Sequence, residues 1–118
     1  MKSKIIALSK SEDFRFLLKG KKISNKYLTI FFSKITNKDN KRLNISFVTK
    51  KKIGNAVIRN KIKRKLKSAV QEVLKEKKLI DLSYAYVIFG KNNVYNDKFV
   101  NVLNEVNETF KKIKRTSI

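Results

Sequence analysis

The sequence predicts an α+β fold, a single sheet with helices packed on it, in one domain spanning residues 1–118. Three observations carry this expectation. Apolar residues recur at the helical period near the N-terminus, in a long central stretch and near the C-terminus. Runs of β-branched and aromatic residues fall between those stretches. No Pro-, Gly- or Ser-rich linker and no internal repeat divides the chain, and its 118 residues suit one core rather than two.

Ser9-Lys10-Ser11-Glu12 has the form of a capping box, with Asp13 in the first turn of the helix it opens. That helix runs to about residue 19, with Phe14, Leu17 and Leu18 on one face, Phe16 toward the side of that face and Gly20 as its stop. A short piece near Ile23 is a candidate strand. Residues 27–35 include Tyr27, Thr29, Ile30, Phe31, Phe32 and Ile35, which suit a strand. After the polar turn Thr36-Asn37-Lys38-Asp39-Asn40, Leu43, Ile45 and Phe47 alternate with Asn44 and Ser46, predicting a strand antiparallel to the preceding one. Residues 55–78 form the longest predicted helix, with Ile58, Ile62, Leu66, Ala69, Val70, Val73 and Leu74 in one apolar stripe. Residues 82–89 read as a buried strand ending at Gly90. Asn96 is the expected cap of a last helix, in which Phe99, Leu103, Val106, Phe110 and Ile113 are spaced 4, 3, 4 and 3. The order is helix, two or three strands, long helix, strand, helix.

Composition narrows the function. The 30 Lys+Arg against 9 Asp+Glu give a net charge of +21, and the chain has no His, Cys, Pro or Trp. Without His or Cys there is no structural zinc site, thiol nucleophile, disulfide framework or imidazole base. A charge of this size attracts polyanions, either nucleic acid or an anionic membrane surface. Aliphatic and aromatic residues make up 42%, too many for a disordered basic tail. No apolar run approaches the roughly 18 residues of a membrane span, and the N-terminal apolar stretch Ile5-Ile6-Ala7-Leu8 is too short for a signal peptide, so the chain reads as cytoplasmic. The 25 lysines against 5 arginines fit an A/T-rich codon bias, which makes each retained arginine informative.

Residues 40–71 contain no acidic side chain, yet hold Lys41, Arg42, Lys50, Lys51, Lys52, Arg59, Lys61, Lys63, Arg64, Lys65 and Lys67. Arg59, Lys63 and Lys67 lie at i, i+4 and i+8 and make one ridge on the side away from the Ile58/Ile62/Leu66 stripe. Like charges at this spacing destabilise an isolated helix by a few tenths of a kcal/mol, roughly, per pair. Such a helix is suited to receiving anions, and the glycine-broken turn Lys50-Lys51-Lys52-Ile53-Gly54-Asn55 before it adds a helix N-terminus that favours phosphate. The plainer alternative is a solvated lysine-rich face.

Lys51-Lys52-Ile53-Gly54-Asn55-Ala56-Val57-Ile58-Arg59-Asn60-Lys61-Ile62-Lys63-Arg64 resembles the signature of the bacterial ribonuclease P protein subunit: a basic turn, an Ala-Val pair, then a helix that opens its basic run with Arg-Asn-Arg and closes it with Lys-Arg. The resemblance extends over nearly the whole chain. Lys61 and Lys67 stand where arginine is usual, keeping the charge and losing the planar fork. The resemblance implies a helix-strand-strand-strand-helix-strand-helix order, similar to a domain of a small-subunit ribosomal protein, with a left-handed βαβ crossover in place of the right-handed default. It also implies the role of accessory subunit to a catalytic RNA that removes the 5′ leader of precursor tRNA with Mg²⁺, the metal being held mainly by RNA and no catalytic residue lying in this chain.

Two RNA surfaces follow from the resemblance. Lys50, Lys51, Lys52, Arg59, Asn60, Lys61, Lys63, Arg64 and Lys67 are expected to face the ribonuclease P RNA. Phe14, Leu18 and Phe31, with Phe16 and Phe47 as weaker candidates, are expected to line a cleft for the single-stranded leader, where bases stack on rings with little sequence preference. At helical spacing, Phe14 and Leu18 also fit an ordinary core face. The remaining aromatics Tyr84, Tyr86, Phe89, Phe99 and Phe110 read as structural. A ribosomal protein would share charge, size and fold. A helix-turn-helix DNA-binding protein is disfavoured because the basic helix follows strands rather than a companion helix.

Overall fold

A computed structural model describes residues 5–6, 11–34, 42–76 and 79–116. Strand β1 (Ile5–Ile6) precedes helix α1 (Ser11–Leu18), strands β2 (Lys21–Ser24), β3 (Leu28–Lys34) and β4 (Leu43–Val48), and a 3₁₀ turn (Lys51–Ile53). Helix α2 (Ala56–Leu74), strand β5 (Tyr84–Gly90), the short helix α3 (Asn93–Asn96) and helix α4 (Phe99–Thr116) complete the order. The proposed capping box around Ser9, the polar turn 36–40 and the expected helix end near residue 78 lie partly or wholly outside the described residues.

The candidate strand near Ile23 is β2, joined to β3 by a tight turn. The Asn25 side-chain oxygen accepts the backbone N–H groups of Tyr27 (2.9 Å) and Leu28 (3.1 Å), a local bond that makes Asn a turn residue. The strand order is β1-β4-β5-β3-β2. Strand β4 does run antiparallel to β3 in direction, but the two are not neighbours. Strand β5 lies between them, antiparallel to β3 from Leu28↔Gly90 to Lys34↔Tyr84 and parallel to β4 from Asn44↔Ala85 to Val48↔Phe89. The parallel pair forces a crossover connection, which α2 supplies.

Alternation along the strands divides the sheet into two covered faces. Leu28, Ile30, Phe32, Leu43, Ile45, Tyr86 and Ile88 face α2 and α4, whose Ile62, Leu66, Ala69, Val70, Val73, Val102, Val106, Phe110 and Ile113 complete the main core. Ala85 and Val87, with the half-buried Phe31, Val48 and Phe89, face Leu17 and Phe14 of α1. The α2 stripe is therefore buried as expected, and α2 ends at Leu74. The α4 stripe differs from expectation at its start. Phe99 is 39% exposed, and Val102 takes the first core position because the helix begins as the chain leaves α3 at the surface.

Two contacts fix how α2 and α4 sit. Gly90 allows α2 to approach β5 so closely that a Cβ there would lie 2.6 Å from Ile62 Cγ2 and 2.9 Å from Leu66 Cδ1. At the same end of the sheet, the hydroxyl of the buried Tyr27 donates to the Asp97 carboxylate. Asp97 also accepts the Lys98 N–H (2.8 Å) and the Asn101 amide (2.8 Å), while its own carbonyl accepts from the Lys65 ammonium. Asp97, rather than the expected Asn96, thus provides the side chain at the start of α4. Asn96 is the last residue of α3, and Lys98 offers the first helical carbonyl, to Asn101 N (3.1 Å) and Val102 N (3.3 Å). A carboxylate at this end suits the helix dipole.

Gly90→Ala should destabilise the fold by about 1–3 kcal/mol through overpacking, measured as a lowered midpoint of urea unfolding with unchanged slope. The hydrogen bond from Tyr27, followed by those from Asn101 and Lys98, lowers the Asp97 pKa from 3.8 to about 2. The ionised carboxylate therefore stabilises the native state above about pH 4, and this contribution is lost as the pH falls toward 2. Asp97→Asn is expected to melt below the wild type near neutral pH, with the gap narrowing through that acidic window.

Candidate nucleic-acid interface

Helix α2 is set by its cap. The Asn55 side chain accepts the N–H of Ile58 (3.0 Å), starting the helix in the register that turns Ile62 and Leu66 onto the sheet. With the stripe buried, the 3.6-residue period leaves two flanks. Arg59, Lys63 and Lys67 occupy one, and Val57, Lys61 and Lys65 the other.

The first flank borders the β1/β4 side of the sheet. Strand β1 pairs with β4 at Leu43 and Asn44. The groove there has a volume of about 630 Å³ and is lined by Ile5, Phe14, Ile45, Ser46, Phe47, Asn60, Lys63, Arg64 and Lys67. Four polar or cationic side chains of α2 therefore face two aromatic rings, one from α1 and one from β4, with no acidic residue in the lining. Arg59 stands beside this set, half-buried, and its Nε–H is buried without an acceptor among the described residues. A buried donor left unpaired costs about 1–3 kcal/mol, which an incoming anionic oxygen would relieve.

A second recess, of about 290 Å³, is lined by Thr29, Lys50, Lys52, Ile53, Phe89, Gly90, Lys91 and Asn92. It brings Lys50 and Lys52 of the lysine triplet to the end of the sheet, whereas Lys51 is exposed outside it. The Lys91 ammonium is held by the Ser24 hydroxyl (3.0 Å) and the Asn25 carbonyl (2.6 Å). Between the two recesses lies the α1-facing cluster. Phe14 belongs to it and to the first recess, Phe89 to it and to the second. Phe31 sits between, edge-to-face on Phe89 at 5.7 Å between ring centroids, with the Lys22 ammonium 5.9 Å from its own.

The structure thus gathers Phe14, Phe47, Asn60, Lys63, Arg64 and Lys67 in one groove, where the sequence suggests two separate surfaces. Phe31 lies on the α1 face, packed against the cluster of Leu17, Ala85 and Val87. Leu18, one turn beyond Phe14, is 43% exposed, and Phe16 is 58% exposed on the opposite side of Leu17. Neither packs in the α1-facing cluster. Lys61 points away from the groove toward the ring of Tyr95, 5.9 Å from its centroid. Phe89, read as structural, does pack on the α1-facing cluster, and it also lines the second recess together with Lys91. Strand β5 is apolar on both faces, so its run shows no alternation that would assign Phe89 to the α1 side.

Ammonium and guanidinium groups lining grooves that also present rings fit a phosphate backbone with unpaired bases. Among the described residues no three His, Cys, Asp or Glu side chains cluster as metal ligands, and no helix is long and apolar enough to cross a membrane.

Comparison with known proteins places this geometry in a family. The family model described as Ribonuclease P matches residues 3–114. The ribonuclease P protein component of Carboxydothermus hydrogenoformans is 33% identical over 111 residues, covering 92% of this chain and 91% of that protein. The structure of the Staphylococcus aureus RNase P protein superposes with a TM-score of 0.65 at 28% identity, covering 92% of this chain and 94% of that one. The RNase P protein from Thermotoga maritima shares the fold, with a TM-score of 0.66 at 23% identity over 91% and 96% of the two chains.

Proposed function

Because the chain belongs to the family of bacterial ribonuclease P proteins, we propose that it binds the catalytic RNA of ribonuclease P and the 5′ leader of precursor tRNA, assisting endonucleolytic removal of the leader. The observation that carries this reading is the groove in which Asn60, Lys63, Arg64 and Lys67 face Phe14 and Phe47.

In this reading, the basic flank of α2 (Arg59, Lys63 and Lys67, with Asn60 and Arg64), Lys61 on the other flank, and the turn at Lys50, Lys51 and Lys52 hold phosphates of the RNA subunit. Each neutralised phosphate releases counterions, which gives affinity without sequence preference. The leader runs along the α1 side of the sheet, its bases stacking on Phe14 and Phe31, with Leu18 on the rim and Phe89 extending the track. Phe47 marks where the two surfaces meet, and Phe16 lies at the outer margin. Stacking at about 1–3 kcal/mol per base tolerates any base, which suits leaders of differing sequence.

The reaction requires Mg²⁺. RNA phosphates carry the hard oxygen ligands that such an ion takes, so we assign the ions to the RNA and assign no catalytic residue to this chain. The protein's part is to position substrate and RNA.

Cleavage of a 5′-extended precursor tRNA by the organism's own ribonuclease P RNA at low Mg²⁺ tests the proposal. Processing is expected with RNA and protein together and none with the protein alone. Tight RNA binding without stimulation would point to a ribosomal type of role, and cleavage by the protein alone would sink the assignment of chemistry to RNA. Phe31→Ala should weaken holoenzyme binding to leader-containing precursor by about fivefold or more while sparing mature tRNA. Equal losses for both would mark Phe31 as a core residue only.

A further inference from the structure

The second flank of α2 enters the reading above only through Lys61, and that lysine stands over an aromatic ring. Tyr95, in α3, is 41% exposed, and the Lys61 ammonium stands 5.9 Å from its centroid. At this distance, near the outer limit for attraction between a cation and a ring, the lysine is readily exchanged for another partner of the ring face.

The ring stands on a fixed base. Val94 beside it is fully buried, the Tyr95 N–H donates to the Asn92 carbonyl (3.0 Å), and the Asn93 amide donates to the Lys26 carbonyl (2.9 Å). Two residues on, Asp97 is tied to Tyr27, Lys98 and Asn101, and its carbonyl to Lys65. Only the side chain of Tyr95 is free to meet a ligand, so little conformational freedom is lost on contact. Among the described residues Phe16, Tyr95 and Phe99 are the exposed rings, and Tyr95 is the one with a lysine over its face.

We propose that Tyr95 and Lys61 form a stacking subsite for an unpaired base of the RNA subunit, on the side of α2 opposite the leader track. Charge selects the occupant. The chain carries a net +21, and Ala56 to Gln71 contains no acidic residue. The nearby carboxylate of Asp97 is already engaged by its three hydrogen-bond donors. A polyanion crossing α2 would place a phosphate at Lys61 and leave the ring face for the adjoining base, the pairing of cation and ring by which single strands are held. The inference rests on the proposed binding of the RNA subunit and adds a site on the other flank of the helix.

The test uses the holoenzyme reconstituted with the organism's ribonuclease P RNA. Tyr95→Leu, which keeps an apolar side chain without a ring, is expected to weaken binding to the RNA subunit by about fivefold or more. Tyr95→Phe should stay near wild type, and the preference of the assembled enzyme for precursor over mature tRNA should be unchanged in both. The chain has no tryptophan, so Tyr95→Trp installs a single indole whose emission should be quenched when the RNA binds. Wild-type affinity in Tyr95→Leu, unquenched emission in Tyr95→Trp, or a loss confined to precursor discrimination would each overturn the proposal. Failure of the wild-type protein to bind the RNA would instead overturn the functional reading beneath it, so the two failures are separable.

Discussion

Strand β5 is hydrogen-bonded along both edges and covered on both faces, and the remaining elements take their places from it. Its parallel pairing with β4 requires the α2 crossover, and its antiparallel pairing with β3 brings the β2–β3 hairpin alongside. One face carries Tyr86 and Ile88 into the main core, where Tyr86 meets Phe110 edge-to-face at 5.3 Å and donates its hydroxyl to the Asp81 carbonyl (2.6 Å). Burial pushes the Tyr86 pKa up, so the ring stays neutral. The other face carries Ala85, Val87 and Phe89 to α1. A strand in this position has no solvent side, which is why its sequence is continuously apolar.

The apolar stripe of α2 must lie on that sheet, and Gly90 sets how closely it does so. Once the stripe is committed, every cation of the helix is driven to the flanks or the outer surface. Crowding positive charge near the N-terminal half of a helix opposes its dipole and repels itself, so the core and the Asn55 cap must hold α2 against its own electrostatics. A polyanion reverses the sign of that contribution. The Arg59 Nε–H, without an acceptor among the described residues, belongs with this pattern, since such a donor gains from an arriving phosphate oxygen.

Aromatic residues are placed around α2 rather than on it. Phe14 and Phe47 border one flank and Tyr95 the other, while Phe31 and Phe89 continue the first set across the α1 face. The rings belong to α1, β3, β4, β5 and α3, elements far apart in sequence. Each is seated by packing that does not depend on a ligand, a pre-organised arrangement that lessens the ordering cost of binding.

By itself the sequence determined the α+β class, the helical stripe over Ile58, Ile62, Leu66, Ala69, Val70, Val73 and Leu74, and the acid-free basic window, because these depend on local period and composition. The ribonuclease P signature was legible for the same reason, being one uninterrupted run from Lys51 to Arg64. Tertiary structure alone decided that β5 lies between β3 and β4, since strand order follows long-range pairing that no local pattern encodes. It decided that Phe89 joins the α1 side, because a strand buried on both faces shows no alternation. It put Asp97 rather than Asn96 at the start of α4, because the Tyr27 hydroxyl reaches there from β3's leading turn. And it merged the basic ridge with Phe14 and Phe47 in one groove, because α1 and β4, distant in sequence, meet beside α2.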